Sequence, residues 1–291
     1  RNNSETDPEW AAGLEPGWQA LRQKRFGDAF LGGPIAPEFQ DEGWTRMVRN
    51  LQALKEQAGD VPMQELANLA QLADFKTMEQ IRGLVDESVE DPEVASKLKA
   101  FYNQFCKRPT FNDDFLPTFN RSNVELIDTD GQGVDHVTEK GVVVAGVEYE
   151  LDCLIYGTGF EVGTSYTRRS GYEVFGRDGR ALSEHWQEGT RTLHGMGSHG
   201  FPNLFIMNTS QGGFTANFPH LLDETAIHQA HIIGHALDTG HTTVEVTPDA
   251  EDEWIKTIIG FEGGPLGGLG GPDCTPGYYN NEGQPNPNAA Q

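Results

Sequence analysis

Residues 151–160 read Leu-Asp-Cys-Leu-Ile-Tyr-Gly-Thr-Gly-Phe. The apolar run Cys153–Tyr156 predicts a short, buried strand of a parallel sheet, and the small residues of Gly157–Phe160 follow it. Ligands of open α/β sheets bind beyond the carboxyl ends of the strands, where glycine lets the backbone approach them closely. Thr158 and Gly159 are therefore candidate ligand-binding residues, although an ordinary β-turn could have the same sequence.

The segments around this stretch predict further strands and two long helices. Strands are predicted at 124–128, 141–146, 147–151 and 201–207, the second and third as a hairpin that turns near Gly146. The turn Gln211-Gly-Gly213 leads into a helix that runs to about Thr239, and Pro248 opens a final helix. This pattern predicts an α/β fold.

The first third of the chain, up to residue 105, is predicted to be helical. Met47, Leu51 and Leu54 recur at helical spacing, and Asp91-Pro92-Glu93 has the sequence of a helix start. Gly32-Gly33-Pro34 interrupts the first helical segment. No motif in this region indicates a particular chemical activity.

The charge of the chain excludes one class of partner. The 44 acidic residues outnumber the 21 basic residues, and the formal net charge is −23. Nucleic-acid binding requires cations that neutralise phosphates, so we do not expect a nucleic-acid partner. The few cations therefore carry more information than the many carboxylates.

Lys107-Arg108 is a pair of adjacent cations and a candidate binding site for an anion. Arginine stays ionised and can donate several hydrogen bonds to an anion, so the pair could form an anion site. An exposed basic pair that complements a helix dipole would have the same sequence.

A second candidate site follows the predicted strand at 201–207. There Asn208-Thr-Ser-Gln-Gly-Gly-Phe-Thr-Ala-Asn217 connects a strand, a glycine turn and a helix. The free N–H groups of a helix start carry partial positive charge and could face an anionic ligand. A plain strand–turn–helix connection is the alternative.

Metal and hydrolase chemistry find little support. His228, His231 and His235 lie on one face of a predicted helix, but no thiol or carboxylate pattern supplies further ligands, so we expect no metal. Leu222, Ala226, Ala230, Ile233 and Leu237 are predicted to form the opposite, apolar face. No Gly-x-Ser-x-Gly segment is present.

The predicted compartment is the cytoplasm, and no membrane partner is expected. Cys106, Cys153 and Cys274 are widely spaced and odd in number, which does not suggest a disulfide framework. No apolar run approaches the roughly 18–20 residues of a membrane span. The chain begins with Arg1 and ends in Asn-Pro-Asn-Ala-Ala-Gln, so we expect it to be a portion of a longer polypeptide.

Five segments, taken in order, resemble the Baeyer–Villiger monooxygenases of the flavin monooxygenase superfamily. They are residues 107–124, 151–160, 199–205, 218–224 and 274–282. The resemblance covers nearly the whole chain and is looser in the helical first third.

The resemblance implies roles for the cation pair. Arg108 matches the family's catalytic arginine, which stabilises the anionic flavin peroxide and then the tetrahedral adduct formed with a ketone. A permanent cation aimed at developing oxyanion charge suits that role. Lys107 matches the position that binds the 2′-phosphate of NADPH.

The resemblance also implies that the glycine turns contact the cofactors. Thr158 and Gly159 lie in a stretch similar to the crossover from the NADP domain to the FAD domain. Gly212, Gly213 and Thr215 would lie at the flavin ring, with Phe214 as a wall of the substrate pocket. The family's two phosphate-binding loops, its His- and Trp-containing fingerprint and the Asp partner of the catalytic arginine are absent here. Tyr278 and Tyr279 stand where some relatives have a Trp that contacts the cofactor.

The implied fold is a partial flavoprotein with two Rossmann-like dinucleotide-binding domains, for FAD and NADP, and a helical insert. Residues 1–105 would form the insert, 106–156 the end of the NADP-binding domain and 157–260 the C-terminal part of the FAD-binding domain. Residues 261–291 would be an irregular C-terminal segment. The N-terminal half of the same enzyme would be the missing partner.

The implied reaction converts a ketone, O2 and NADPH into an ester or lactone, NADP+ and water, with FAD as the resident cofactor. The isolated chain is expected to be inactive. A flavin-dependent S- or N-oxygenase that acts on sulfides or amines is one alternative. A non-catalytic helical binding module is another.

Overall fold

The structure is a computed structural model that describes residues 7–30, 32–40, 42–159, 165–207, 211–213, 217–260 and 274–277. The chain forms two compact units. The first comprises Arg1–Val61 and Asn68–Phe160, and the second comprises Pro62–Ala67 and Glu161–Gln291.

The described secondary structure is rich in helices. The α-helices are α1 (Pro8–Ala12), α2 (Trp18–Phe30), α3 (Arg46–Ala58), α4 (Met63–Ser88), α5 (Pro92–Leu98), α6 (Phe115–Thr118), α7 (Tyr166–Ser170), α8 (Leu182–His185), α9 (Phe218–Asp238) and α10 (Pro248–Ile259). Short 3-10 turns occur at Pro37–Phe39, Gln104–Cys106 and Arg177–Gly179. The strands are β1 (His136–Val137), β2 (Gly141–Val144) and β3 (Val147–Glu150).

Helices α3 and α4 form the centre of the helical region. Met47 and Leu51 are buried on α3, as their spacing predicts. The buried Asn50 side chain donates a hydrogen bond of 2.8 Å to Oγ1 of Thr77 on α4, so the polar group has a partner inside the interface. Helix α5 begins at Asp91, whose carboxylate accepts from two backbone N–H groups of the first turn. The prediction of helices in this region is confirmed for its described residues.

The predicted hairpin is also confirmed. Strands β1, β2 and β3 form an antiparallel sheet in that order, with Val144 opposite Val147. The turn residues Ala145 and Gly146 have φ values of 50° and 77°, which is the conformation of the tight turns that join twisted hairpin strands.

Three predicted strands are wrong. Within the described residues, 124–128, 153–156 and 201–207 have no strand structure. A strand requires a neighbour for its backbone groups, and Ile155 and Tyr156 are instead 86% and 72% exposed. Phe201 and Ile206 are buried as predicted, but their segment is held by irregular backbone hydrogen bonds. The chain is helix-rich α/β, and no parallel sheet forms in the part that the structure describes.

Two features bear on the predicted compartment. Cys153 is an exposed free thiol. None of the described helices has the length and apolar character to cross a membrane.

Candidate functional site

The backbone that presents Lys107 and Arg108 is anchored by the preceding 3-10 turn. Within that turn Gln104 is buried, and its N–H donates a hydrogen bond of 2.9 Å to Oδ1 of Asp74, which is buried on α4. Burial raises the pKa of the Asp74 carboxyl, while the Gln104 N–H and the charge of Arg82 partly offset this effect. Lys107 and Arg108 follow this anchored turn, and their side chains are exposed.

Aromatic rings lie against both cations. The Arg108 Cζ atom is 5.6 Å from the ring centroid of Trp44, and the Lys107 Nζ atom is 5.6 Å from that of Tyr102. Lys107 has an extended backbone and follows a turn of only three residues. The pair therefore does not complement the dipole of an α-helix, and the anion site stays a prediction.

Gly159 presents an open backbone in the same unit. Its φ is +90°, and among the described residues beyond its chain neighbours no heavy atom lies within 4 Å of the position that a Cβ atom would occupy. Thr158 and Gly159 are both exposed. A backbone of this kind can approach a ligand closely, and an L side chain at Gly159 would be strained.

The turn at Gly212 and Gly213 belongs to the second unit. Gly213 has a φ of +110° with open space around its Cβ position, and Gln211 before it has a φ of +61°. The predicted Phe214 and Thr215 lie outside the described residues.

Gln211 anchors this turn, a role that the sequence did not reveal. Its buried Oε1 accepts from the backbone N and Oγ1 of Thr192 at 2.8 and 2.5 Å, and its Nε2 donates to the Thr190 carbonyl at 2.6 Å. Nε1 of Trp254 on α10 donates to the Gln211 carbonyl at 3.1 Å. Three hydrogen bonds to the side chain and one to the backbone therefore fix the residue before Gly212.

Glu251 on α10 is a second buried anchor that the sequence did not reveal. Its carboxylate accepts hydrogen bonds from Nε2 of His185 at 3.1 Å, Oγ of Ser198 at 2.9 Å and N of His199 at 2.9 Å. Nε of Arg191 donates to it at 3.2 Å. Glu251 lies in an acidic run at a helix start, a sequence typical of a solvated surface, although it is only 2% exposed.

These donors decide the ionisation of Glu251. Burial alone would raise the pKa of its carboxyl, but the hydrogen bonds from His185, His199 and Ser198, together with the His185 charge, lower it to about 2. Glu251 is therefore ionised at neutral pH and ties α10 to the loop at 185–199.

Residues 195–200 contain the spacing of a dinucleotide-binding loop, Gly-x-Gly-x-x-Gly. In the structure, the N–H of His199 donates to Glu251 and the N–H of Gly200 donates to Glu245. Carboxylates thus occupy donors that a phosphate would need, and neither a strand before this loop nor a helix after it is among the described elements. The segment is not a phosphate-binding loop.

The start of α9 offers fewer donors than the sequence suggested. The side chain of Asn217 accepts from the N–H of His220, and Pro219 has no N–H. Two of the first backbone positions are therefore not open donors for an anionic ligand.

The three histidines of α9 are exposed, as are Ile233 and Leu237 on its predicted apolar face. His228 lies 5.9 Å from the ring of His194. The described residues contain no group of three or more possible metal ligands. The absence of a metal stays a prediction.

Comparison with known proteins gives a consistent set of relatives. The chain is 45% identical over 289 residues to pentalenolactone D synthase of Streptomyces exfoliatus, covering 98% of this chain and 49% of that protein. It is 43% identical over 286 residues to Baeyer-Villiger monooxygenase ATR8 of Stachybotrys chlorohalonatus, covering 97% and 45%. No protein-family model matches the chain.

Solved structures give the same picture. The polycyclic ketone monooxygenase of Thermothelomyces thermophila superposes with a TM-score of 0.80 at 38% identity, covering 96% of this chain and 46% of that one. An open structure of cyclohexanone monooxygenase has a TM-score of 0.60 at 32% identity, covering 66% and 37%. The chain is homologous to Baeyer–Villiger monooxygenases.

The chain spans about half the length of the curated relatives that it matches. In the described residues, the first unit contains exposed Lys107, Arg108 and Gly159, and the second unit contains the turn at Gly213.

Proposed function

We propose that the chain is part of a Baeyer–Villiger monooxygenase that oxidises a ketone to an ester or lactone with O2 and NADPH. The identity of 40–45% to proteins of this kind over 98% of the chain carries the proposal. Relatives named for ketone oxidation, such as ketocytochalasin monooxygenase of Aspergillus clavatus, favour a ketone over a sulfide or an amine as substrate.

The cofactors in the proposal are FAD and NADP(H), and the described residues fit them. A structurally similar protein, OTEMO, has been crystallised in complex with FAD and NADP. Gly159 and Gly213 have positive φ values and open space where a Cβ would lie, so their backbones can approach a flat cofactor. Exposed Lys107 can bind the 2′-phosphate of NADPH. When bound, FAD supplies the redox and oxygen chemistry.

We assign Arg108 the catalytic role. A guanidinium is a permanent cation, and that of Arg108 is exposed on a fixed backbone, so it can stabilise negative charge that develops on a reacting oxygen. Thr158, Gly212 and Thr215 complete the proposed cofactor contacts, and Phe214 is proposed as a wall of the substrate pocket.

The finer architecture belongs to the same proposal. Residues 1–105 form a helical insert, 106–156 the end of a Rossmann-like NADP-binding domain, 157–260 the C-terminal part of a Rossmann-like FAD-binding domain and 261–291 an irregular segment. The exposed apolar residues Ile155 and Tyr156 would pair with a strand of the enzyme's N-terminal half. We propose a cytoplasmic location because NADPH is supplied there.

The test replaces Arg108 by Ala in the full-length enzyme that contains this chain. We expect ketone oxidation to fall by at least about 100-fold, because a positioned charge on a developing oxyanion contributes that much or more. Arg121→Ala is the matched control, since Arg121 is another exposed arginine of the same unit, and it should leave the rate unchanged.

The same purified protein separates the alternative functions. It should be yellow from bound flavin and should oxidise a ketone faster than a sulfide. A colourless protein would indicate a binding module, and a preference for the sulfide would indicate a heteroatom oxygenase. Ketone oxidation by Arg108→Ala at the unmodified rate would refute the role of Arg108.

A further inference from the structure

We infer that Trp44, just before helix α3, is a positioning residue for Arg108. The inference rests on the proposed catalytic role of Arg108. The Arg108 Cζ atom lies 5.6 Å from the Trp44 ring centroid, within the range of a cation–π contact. Trp is the ring that attracts a cation most strongly. The helical region, to which the sequence assigned no chemistry, thereby contributes to the site.

A second ring supports Trp44. Phe111 packs against it edge to face, with ring centroids 6.0 Å apart and planes at 66°. The Phe111 ring lies so close to Gly43 that a Cβ atom there would be 2.2 Å from Phe111 Cε1. The glycine before Trp44 is therefore required for the ring behind it, and the two aromatic residues form one platform under Arg108.

The backbone under the platform is firmly held. Thr45 is fully buried, and its Oγ1 donates to the carbonyls of Phe39 at 2.6 Å and Glu42 at 3.2 Å. Met47 and Val48, in the first turn of α3, are buried in the core. Trp44 thus projects from a rigid helix start rather than from a mobile loop, as a positioning residue should.

Other guanidinium–ring contacts occur in the same unit. Arg22 lies 4.9 Å from the Phe39 ring and Arg82 lies 5.0 Å from the Phe101 ring. A ring restrains the position of a guanidinium without cancelling its charge. This kind of restraint suits a cation that must stabilise a developing oxyanion.

The contact can be tested in the chain itself, without any cofactor, by NMR of arginine side chains. The Trp44 ring current should displace the Arg108 Cδ proton resonances upfield, and Trp44→Leu should return them toward the values of a free arginine. Trp44→Phe should retain part of the displacement. Phe101→Leu is the matched control and should shift the Arg82 resonances while leaving those of Arg108 unchanged.

Phe111→Leu provides a second variant that leaves Trp44 in place. It should move the Arg108 resonances in the same direction as Trp44→Leu by a smaller amount, because the platform loses its support. Arg108 resonances that stay unchanged in both variants would overturn the inference.

The effect of Trp44 on catalysis is measured in the full-length enzyme. Trp44→Leu should lower kcat for ketone oxidation about tenfold, because small misplacements of a catalytic group cost rate, and should leave the KM for NADPH unchanged. An unaltered kcat in Trp44→Leu, together with an inactive Arg108→Ala, would overturn this inference alone. Full activity of Arg108→Ala would overturn the proposed role of Arg108 and this inference with it.

Discussion

The two candidate sites, one in each unit, are held by different kinds of interaction. Lys107 and Arg108 are exposed, and aromatic rings 5.6 Å away restrain their side chains. The turn at Gly212 follows a buried glutamine that makes hydrogen bonds of 2.5 to 3.1 Å. The ring contacts of the two cations are therefore weaker than the hydrogen bonds that hold the turn.

The difference follows from the energies of these contacts. An exposed cation–π contact contributes about 0.5–1 kcal/mol, so it biases a side chain without locking it. A buried polar group that loses its partner costs about 1–3 kcal/mol, and more when a charge is involved. A flat cofactor needs a fixed backbone, whereas a side-chain cation can be held in its working position by a weak bias from a neighbouring ring.

Glu251→Gln should be the most damaging change, because it breaks the buried network that holds α10 beside the glycine turn. The pKa of about 2 lies below the ordinary value of 4.5 for a glutamate carboxyl, and this difference corresponds to roughly 3 kcal/mol of stability at neutral pH. We expect chemical denaturation at pH 7 to show a loss of about that size. Glu253→Gln, an exposed change on the same helix, should cost under about 0.5 kcal/mol.

The pH dependence has a definite sign. A depressed pKa means that the carboxylate stabilises the folded state fully above about pH 4.5, and this contribution is lost as the pH falls toward 2. The difference between the unmodified chain and Glu251→Gln should therefore shrink over that interval. A difference that is constant from pH 6 down to pH 3 would contradict the network as the source of stability.

Gln211→Leu should be the next largest change. Leucine fills a similar volume but leaves the N–H and hydroxyl of Thr192 without their acceptor, so we expect a loss of about 2 kcal/mol. The amide of Gly212 should also exchange with solvent faster, measured by hydrogen–deuterium exchange of the chain.

Gln229→Leu is the matched control for this second change. Gln229 is also buried in the second unit, but its amide has one recorded hydrogen bond, to the Ile206 carbonyl at 2.6 Å. It should cost about 1 kcal/mol and leave exchange at Gly212 unaltered. Equal exchange at Gly212 in both variants would show that Gln211 does not anchor the turn.

Local signals predicted the parts of the fold that local interactions determine. Pro248 after Thr247 predicts the start of α10, and Thr247 does cap that helix. The hairpin turn at Ala145 and Gly146 depends only on the backbone conformation of those two residues, so a local signal is enough to predict it. The strand predicted at 153–156 failed because a parallel strand depends on a neighbour distant in sequence, and no described residue supplies one.

The candidate site divides in the same way. Lys107, Arg108 and the glycines could be predicted because charge and small size are visible in the sequence. Gln211 and Glu251 could not, since a glutamine in a turn and a glutamate in an acidic run are typical of a solvated surface. Their roles depend on Thr192 and Ser198, which only the folded chain brings to them.

Arg108→Met should have the smallest effect on stability, although it should abolish oxygenation in the full-length enzyme. The side chain is exposed, and a substitution at an exposed position usually changes stability by about 0.5 kcal/mol or less, so denaturation of the chain should show a change below about 1 kcal/mol. Methionine keeps much of the apolar stem over Trp44 and removes only the charge. A loss of 2 kcal/mol or more would mean that Arg108 is part of the structural framework, and the contrast between a weakly held cation and a firmly held turn would then be wrong. A small loss of stability together with a large loss of activity is what a charge held ready for chemistry should give.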